Sequence, residues 1–444
     1  MEFLTGVKEK DTLEISELLA KGKEGQQVKV NGAVHVIRDM GTVAFVILRK
    51  REGLLQCVYE KGAADFNLAD IREASAIEVE GILMENERAP EGIEILMRKL
   101  TVLSMPVGEM LPLPVSKWKL NTSLEAKLNY RSISLRNIRE RAKFRIQEGL
   151  IRAFRDFLYS QGFTEIHTPK IGAKGAEGGA NIFKLEYFHR PAVLAQSPQF
   201  YKQMMTGVFD RVFETAPVFR AEKHNTKRHL NEYTSLDFEM AYIEGFEDVM
   251  AMETGYLKYA MELLKKEYGK ELKLLDITLP DAGRIPAVRF SEIKEKVSEK
   301  YGHQMRNPFD LEPEEEQLIS RYAKEEWDSD FVFVTHYPSK KRPFYAMDDP
   351  ADKRYTLSFD LLFRGMEITT GGQRIHDYQM LMEKIADRGM ETEGMEQYLD
   401  TFKYGMPPHG GLGIGLERLT MKLTGEDNVR ETTLFPRDLS RLEP

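Results

Sequence analysis

Alternating apolar and polar residues dominate the first hundred positions of the chain. β-Branched and aromatic side chains alternate with polar ones over 27–60, and glycines interrupt the run. Two more alternating runs follow, over 76–84 and 92–103. About five short strands within a hundred residues predict a small β-barrel or sandwich. Barrels of this size commonly bind oligonucleotides, which is an analogy at the level of the fold.

A different pattern begins after residue 103. Residues 104–120 contain three prolines and little periodicity, which predicts a linker or hinge. Over 137–160, apolar residues recur three and four positions apart, as in an amphipathic helix. The remaining runs group strands with flanking helices and do not alternate strictly, which favours an α+β domain on a mainly antiparallel sheet. The strand-like runs are 211–222, 233–242, 331–335, 356–364 and 412–415, and the helical runs lie near 247–268, 378–388 and 394–403.

Composition narrows the class of protein. A chain of 444 residues, 42% of them hydrophobic, can fold into two or three ordinary globular domains. A net charge of −8 excludes a globally basic nucleic-acid binder but not a local basic face. No apolar run reaches the length of about 18 residues that a membrane span needs, and the mixed-charge N-terminus shows no signal peptide. The single cysteine, Cys57, excludes a disulfide framework, so a reducing cytoplasm is expected.

The acidic segment 312–326 is expected to be a solvated helix face.

The densest polar cluster lies at 219–240, where the pattern predicts a strand, a polar loop and a second strand. Arg220 and Glu222 point to one face, because strand side chains repeat every two residues. A planar guanidinium beside a mobile basic loop suits a polyphosphate, whereas the alternative is a solvated hairpin with surface ion pairs. The loop carries Lys223, His224, Lys227, Arg228 and His229, and the second strand carries Glu232 and Asp237.

Two further clusters contain candidate ligands for cations and anions. In 363–376, Glu367 precedes Thr370 by three residues, and a carboxylate and a hydroxyl at this spacing can share Mg²⁺. The alternative there is an ordinary ion pair between Glu367 and Arg374. In 409–423, alternating glycines allow close approach by another backbone or a flat ligand, and Arg418 opens a helix whose first amides favour anions. Neither a P-loop nor a Rossmann glycine motif is present in the sequence.

A fourth cluster, 195–205, places neutral polar residues before Lys202. A lysine behind a pocket can pair with the carboxylate of a ligand; the alternative is a lysine on a helix surface.

Taken in order, these clusters resemble the three motifs of class II aminoacyl-tRNA synthetases. TPKI (168–171) resembles motif 1, with Pro169 at a dimer interface. FRAE and RHLNE, within 219–232, resemble motif 2, and GLGIGLER (411–418) resembles motif 3. Within subclass IIb, nearly the whole chain is similar to the compact, archaeal-type aspartyl-tRNA synthetases. The resemblance implies an OB-fold anticodon-binding domain at 1–104, a linker or hinge at 105–130, a class II catalytic domain at 131–444 and a homodimer.

The resemblance also implies roles for individual residues, with ATP and Mg²⁺ as partners. Arg220 would hold the α-phosphate and the amino-acid carboxylate, Arg418 the γ-phosphate, and Glu367 and Thr370 the Mg²⁺, where the family commonly has Ser at the second position. Arg220, Glu367 and Arg418 form the catalytic set. The implied ATP site comprises Arg220, Ala221, Glu222, Arg228, His229, Leu230, Glu367, Gly415, Leu416, Glu417 and Arg418. The implied aspartate site comprises Glu177, Gln199, Phe200, Tyr201, Lys202, Arg220, Asp237, Thr370 and Arg374.

Charge favours aspartate over asparagine as the amino acid. Arg374 and Lys202 would place two positive charges around its side chain, and asparagine would leave at least one cation unpaired in a closed site. The similar asparaginyl enzymes usually replace this lysine and carry Glu at the position of Asp237. The loop around Glu177 reads EGGANIF where the family has EGGTELF, so Ala180 and Asn181 replace Thr and Glu. This departure bears on the motion of the loop and not on the choice of amino acid. The implied chemistry is formation of an aspartyl-adenylate, then transfer to tRNA, without a protein nucleophile.

The barrel is expected to read the anticodon. Phe45 on a predicted strand would stack on an unpaired base, with barrel core as the alternative. Family members that accept only the aspartate tRNA tend to have Trp and Lys at two barrel positions, whereas relaxed ones tend to have His and Pro. The matching residues here are His35 and Pro90, which implies that the asparagine tRNA is also charged and that an amidotransferase corrects the product. The alternatives are a strict aspartyl enzyme, an asparaginyl enzyme, a tRNA-free enzyme that makes asparagine, and a non-catalytic nucleic-acid-binding module.

Overall fold

The computed structural model describes residues 3, 6–175, 181–223, 226–304 and 306–443. The chain divides into two compact units, Met1–Arg141 and Ala142–Pro444. Each unit has an apolar core of its own.

The first unit is built on a closed five-stranded barrel, which confirms the predicted barrel. Its strands are β1 (Gln27–Asp39), β2 (Val43–Arg49), β3 (Leu54–Glu60), β4 (Ala76–Glu85) and β5 (Ile93–Ser104). They pair in the order β1-β2-β3-β5-β4, with β3 and β5 parallel and the other pairs antiparallel. The helices of this unit are α1 (Ile15–Lys21), α2 (Leu124–Asn129) and α3 (Arg131–Ser134).

The interior of the barrel follows from the alternation in its strands. Ala44, Val46 and Leu48 on β2 are buried in the core, so Phe45 between them points outward. Cys57 on β3 lies in the same core and is fully buried, and burial raises the pKa of its thiol to about 12.

Residues 105–122 contain neither helix nor strand. They are nevertheless packed, because Leu113, Val115 and Leu120 form a small apolar cluster. The buried amide of Asn137 donates to the carbonyl oxygens of Val115 at 2.9 Å and Lys117 at 2.7 Å. This segment therefore has a defined path along the first unit.

The second unit is an α+β domain on an eight-stranded sheet, in the order β12-β13-β16-β17-β18-β11-β10-β6. Its strands are β6 (Thr164–Glu165), β7 (Ile171–Gly172), β8 (Lys184–Tyr187), β9 (Arg190–Leu194), β10 (Arg211–Phe219), β11 (Glu232–Ala241), β12 (Ala287–Arg289), β13 (Phe331–Thr335), β14 (Asp348–Asp349), β15 (Asp352–Thr356), β16 (Ser358–Phe363), β17 (Met366–Gln373) and β18 (His409–Gly415). Its helices are α4 (Ile138–Ser160), which begins in the first unit, α5 (Gln199–Phe209), α6 (Phe246–Glu267), α7 (Gly269–Leu275), α8 (Phe290–Tyr301), α9 (Pro313–Trp327), α10 (Tyr378–Asp387), α11 (Glu396–Lys403) and α12 (Leu416–Thr424). The sheet is antiparallel except at β6–β10 and β12–β13, as predicted for most of its length.

Helices α4, α6 and α12 pack their apolar faces against the sheet. On α4, Ile146, Leu150 and Phe154 recur four residues apart and are fully buried in the main core. Across the described ranges, no helix combines the length and the apolar character that crossing a bilayer would need.

Glycines on β18 allow the central strands to approach closely. A Cβ atom at Gly411 would lie 2.1 Å from Glu239 Oε2 and 2.2 Å from the carbonyl oxygen of Phe238. The expected close approach at this glycine run is therefore made by the neighbouring strand β11.

The expectation for the acidic segment 312–326 is wrong in part. The segment forms α9, but Glu315 and Glu316 are buried in its first turns. Glu315 caps the helix by accepting from the amide of Glu312 at 3.0 Å and pairs with Lys294 at 3.2 Å. A run of like charges in sequence does not reveal which members face partners in other elements.

A buried carboxyl on α6 gives a prediction about stability. Glu253 is fully buried, accepts from Thr369 Oγ1 at 2.5 Å, and has a pKa raised to about 8 by burial and by the charge of Asp360. Because a glutamate in the unfolded chain titrates near about 4.3, the folded state keeps a proton that the unfolded state releases between these values, and stability falls as pH rises. We expect Glu253→Gln to raise the unfolding free energy at pH 8 by about 2 kcal/mol or more, and by about 1 kcal/mol at pH 5.

Chemical denaturation of both proteins across this pH range measures the difference. Glu262→Gln, at an exposed position of the same helix, is the matched control and should leave the pH slope unchanged. Parallel pH slopes for wild type and Glu253→Gln would show that Glu253 does not hold this proton.

Candidate active site

A cavity of about 500 Å³ lies on the polar face of the large sheet. Along β11, Leu236 and Phe238 face the core, so the alternating residues Ser235 and Asp237 face the cavity. Helix α5 and the segment 341–346 supply side walls. The cavity is of the size that accepts a small molecule.

Most of the predicted site residues meet in this cavity. Those that line it are Gln199, Lys202, Arg220, Glu222, Arg228, His229, Leu230, Asp237, Glu367, Thr370, Arg374, Gly415, Glu417 and Arg418. The four other described candidates for the aspartate and ATP sites lie elsewhere. Phe200 packs against Phe344 and Tyr398, Leu416 is buried in the main core, Tyr201 is half-buried on α5, and the amide of Ala221 donates to Asn181. Glu177 and His224 lie outside the described residues.

Two cations and two carboxylates pack together at one end of the cavity. We call Lys202, Asp237, Glu239 and Arg374 the paired-charge cluster. Lys202 Nζ donates to Asp237 Oδ1 at 3.0 Å and lies 3.3 Å from Glu239 Oε2. Arg374 donates from Nε to Glu239 Oε1 at 2.8 Å and from Nη2 to the carbonyl oxygen of Gly411 at 2.9 Å. All four side chains are buried, so their positions are fixed before a ligand arrives.

Sequence reasoning missed Glu239 in the paired-charge cluster. Burial raises the pKa of its carboxyl, but Arg374 and Lys202 outweigh burial and hold the pKa below its ordinary value. Glu239 therefore stays ionised and ties the two cations to one point. The sequence does contain a signal for Glu239. It follows Asp237 by two residues on a strand, so the two side chains share one face of the strand.

Three arginines line the other end of the cavity, and we call Arg220, Arg228 and Arg418 the three-arginine cluster. Arg418 donates from Nε to the carbonyl oxygen of Arg228 at 3.3 Å and from Nη1 to the carbonyl oxygen of Glu367 at 3.2 Å. The guanidinium of Arg220 stacks 5.9 Å from the ring centre of Tyr233 and lies 3.9 Å from Glu222 Oε1. Three guanidinium groups around one space form an anion-binding surface.

A β-bulge aims Glu367 at this surface. In the pairing of β16 with β17, Leu361 is opposite Thr369 and Leu362 is opposite Glu367, so Ile368 is an extra residue. The bulge puts Glu367 and Thr370 on the same face although they are three residues apart, and Thr370 Oγ1 donates to Glu367 Oε1 at 3.3 Å. Burial raises the pKa of Glu367, but Arg418, Arg342, Arg220 and Arg228 outweigh burial and leave the pKa lowered.

Asp360 is a second carboxylate beside Glu367 that sequence reasoning missed. It lies on β16 opposite Thr370, lines the cavity, and is 2.9 Å from Arg342. Burial raises its pKa to about 6, and the charge of Glu367 adds to this rise. Nothing in the local sequence marks Asp360, because the register that puts it beside Thr370 depends on the bulge.

Glu417 lines the cavity, but its carboxylate is committed to a contact with the backbone of β11. Both of its carboxylate oxygens accept from the amide of Thr234, at 3.0 and 3.1 Å. Burial raises the pKa of this carboxyl to about 7. The side chain thus fastens the start of α12 to β11 beside Arg418.

The three barrel candidates occupy different settings. His35 is the extra residue of a bulge in β1 and is 3% exposed, and burial, with Arg49 and Arg141, lowers its pKa to about 4. Phe45 is half-buried and points outward, and Pro90 begins a short turn at Pro90–Gly92. His35 is neutral and covered, so its effect on a bound base would pass through its neighbours.

Comparisons with known proteins cover both units. Residues 123–439 match the family "tRNA synthetases class II (D, K and N)", and residues 28–103 match the "OB-fold nucleic acid binding domain". The chain is 49% identical to the aspartate–tRNA(Asp/Asn) ligase of Deinococcus radiodurans, over 95% of this chain and 96% of that relative. It is 42% identical to the aspartate–tRNA(Asp) ligase of Pyrococcus furiosus, over 95% and 97%. The crystal structure of asparaginyl-tRNA synthetase from Pyrococcus horikoshii with asparaginyl-adenylate superposes with a TM-score of 0.88 at 32% identity, over 95% and 97%.

Proposed function

The chain belongs to the class II tRNA synthetases of the D, K and N group, and we propose that it activates aspartate with ATP and attaches it to the aspartate and asparagine tRNAs. The observation that carries the proposal is that Lys202, Asp237 and Arg374 of the paired-charge cluster line one cavity with the three-arginine cluster. One end suits an acidic amino acid and the other suits a polyphosphate.

The paired-charge cluster supports aspartate as the amino acid. Arg374 and Lys202 would bind the side-chain carboxylate through charge-assisted hydrogen bonds. Asp237 Oδ2 is buried and has no hydrogen-bond partner among the described residues, so it can accept from the ammonium group of the substrate. Asparagine would bring a neutral amide to these cations and lose that charge-assisted pairing.

The three-arginine cluster supports ATP activation. The α-carboxylate of aspartate would attack the α-phosphorus, the bond to the bridging oxygen would break, and pyrophosphate would leave with the electron pair. Arg220 would stabilise the charge on the α-phosphate, while Arg228 and Arg418 would bind the leaving pyrophosphate. The cavity needs to position the reactants and neutralise charge, and no side chain has to form a covalent bond.

The residues around Glu367 fit a magnesium site. Glu367 stays ionised, Thr370 offers a hydroxyl, and Asp360 is a second carboxylate, whose Oδ1 lies 2.9 Å from Arg342 Nη2. No group of three His, Cys, Asp or Glu side chains is clustered for a metal within the described ranges. Such a sparse set of protein oxygens suits Mg²⁺, which takes its other ligands from phosphate and water. When bound, Mg²⁺ would neutralise and orient the phosphates.

For the transfer step, we propose that the barrel binds the anticodon and that the catalytic unit receives the 3′ end. The terminal ribose hydroxyl would attack the carbonyl carbon of the anhydride, and AMP would leave. We propose 1–104 as the anticodon-binding domain, 105–130 as a linker or hinge and 131–444 as the catalytic domain. The half-exposed Tyr159 and Ile171, on both sides of Pro169, are compatible with a homodimer. Charging of the asparagine tRNA would require an amidotransferase to convert the product.

The test is transfer of labelled aspartate onto two unmodified transcripts, the aspartate tRNA and the asparagine tRNA. Labelling of both, together with aspartate-dependent pyrophosphate exchange, is the expected result. Labelling of the aspartate tRNA alone would identify a strict enzyme, and exchange that depends on asparagine would overturn the assigned amino acid.

Pro90→Lys is expected to favour the aspartate tRNA. The substitution places a flexible cation in the β4–β5 turn, and the family resemblance associates lysine there with strict enzymes. We expect the ratio of kcat/KM for the aspartate tRNA over the asparagine tRNA to rise about ten-fold, comparable to one altered base contact of about 1–3 kcal/mol. The assay compares both transcripts at one salt concentration.

Glu87→Lys, at an exposed position in the same β4–β5 connection, is the control for an added charge. If it changes the ratio as much as Pro90→Lys, the effect is electrostatic and is not specific to position 90. His35 is less suited to this test, because a larger residue there would disturb buried packing.

A further inference from the structure

A buried glutamate on α9 lies behind the three-arginine cluster. Glu316 is 5% exposed and does not line the cavity. Both of its carboxylate oxygens accept from Arg228 Nη2, at 2.7 and 2.5 Å, and Oε2 also accepts from the amide of Glu367 at 2.8 Å.

Arg228 and Glu367 are therefore each held from two sides. Arg418 binds the carbonyl oxygens of both residues, and Glu316 binds the side chain of one and the amide of the other. Two charged side chains from distant parts of the sequence thus fix one loop residue and one strand residue.

We infer that Glu316 is a positioning residue of the nucleotide site, which orients the guanidinium of Arg228 and the backbone at Glu367 without touching the substrate. The inference rests on the proposed function, because it assumes that the three-arginine cluster binds ATP.

The way in which Arg228 is held indicates how Glu316 would favour the binding of an anion. Arg228 Nε is buried and has no hydrogen-bond partner among the described residues, although the side chain lines the cavity. With Nη2 held by Glu316, the guanidinium of Arg228 keeps the position in which the side chain lines the cavity. An arginine that is already oriented loses less freedom when a phosphate binds.

The adjacent carboxylate on α9 does not share this role. Glu315 is committed to Lys294 on α8 at 3.2 Å, and His303 lies 3.7 Å from it. Glu316, by contrast, contacts Arg228 and the amide of Glu367, so its removal should act on the binding of ATP and spare the binding of aspartate.

The experiment is aspartate-dependent pyrophosphate exchange with varied ATP. Glu316→Gln is expected to raise the KM for ATP about ten-fold and to change the KM for aspartate less than two-fold. This split between the two KM values separates an effect on the nucleotide site from a general loss of folded protein. Glu314→Gln is the matched control, because its side chain is 73% exposed on the same helix.

A double variant tests the route of action. Adding Glu316→Gln to Arg228→Gln should change the KM for ATP no further, because the two residues act as one unit. An unchanged KM in Glu316→Gln, or a full additional effect in the double variant, would overturn the inference. If Glu316→Gln does not fold, Glu316→Asp, which keeps the charge but shortens the side chain by one methylene group, is measured instead, and an unchanged KM for ATP in that variant overturns the inference. Absence of aspartate-dependent exchange in the wild type would instead refute the proposed function.

Discussion

Replacing Arg374 by glutamine is expected to lower kcat/KM for aspartate in pyrophosphate exchange by about a thousand-fold. In a complex, truncating one partner of a buried, hydrogen-bonded charge pair costs about 2–5 kcal/mol of binding free energy, which corresponds to factors of about 30 to 5,000. Arg374 is 6% exposed and donates to Glu239 and to the carbonyl oxygen of Gly411. Without it, Glu239 would compete with the substrate carboxylate for Lys202.

The effect should fall on aspartate and spare ATP. We expect the KM for ATP to change less than about three-fold, because the three-arginine cluster is formed by other residues. Arg354→Gln is the control, since this side chain is 82% exposed and pairs only with Asp352 among the ion pairs of the described residues. Loss of activity with an unchanged KM for aspartate would contradict the assignment of Arg374 to the amino-acid side chain.

Arg418→Gln is expected to reduce kcat for pyrophosphate exchange by about 10²–10³-fold, the usual cost of losing one donor to transition-state charge. Arg418 also has the largest lowering effect on the pKa of Glu367, so its loss would favour protonation of that carboxyl. Initial exchange rates at saturating ATP and aspartate measure the reduction in kcat.

Arg321→Gln is a suitable comparison, because its side chain is 62% exposed on α9. Calorimetric binding of ATP separates ground-state binding from catalysis. Equal losses in ATP affinity and in turnover at limiting ATP would mean that Arg418 binds substrate and transition state equally, and that it has no specific catalytic role.

The fold was largely predictable because its strands and helices have clear periods. The predicted strand 331–335 coincides with β13, and the predicted helix 137–160 differs from α4 by one residue at its start. The long-range pairing was not predictable in the same way. The order β17-β18-β11 joins segments that are far apart in the sequence. The spacing of apolar residues within each segment does not reveal which segments become neighbours.

The residues in and behind the cavity also divide into those that the sequence predicted and those that it did not. Motif resemblance pointed to Arg220, Glu367 and Arg418, and all three line the cavity. Glu239 and Glu316 were missed, because each acts on a cation from another part of the chain. Asp360 was missed because a bulge determines its neighbours. Side chains that bind a ligand follow motifs, whereas those that hold the binding residues in place depend on tertiary contacts.

The burial of Cys57 has a practical consequence for spectroscopy. It is the only cysteine of the chain, it is fully buried in the barrel, and its thiol has a pKa of about 12. A maleimide reacts with the thiolate, so the native protein should remain almost unlabelled at neutral pH. Cysteines introduced at Lys61 and Tyr404, both exposed, would then carry a fluorophore pair without removal of the natural cysteine. Energy transfer between the dyes could follow the two units of a single molecule while tRNA binds and leaves.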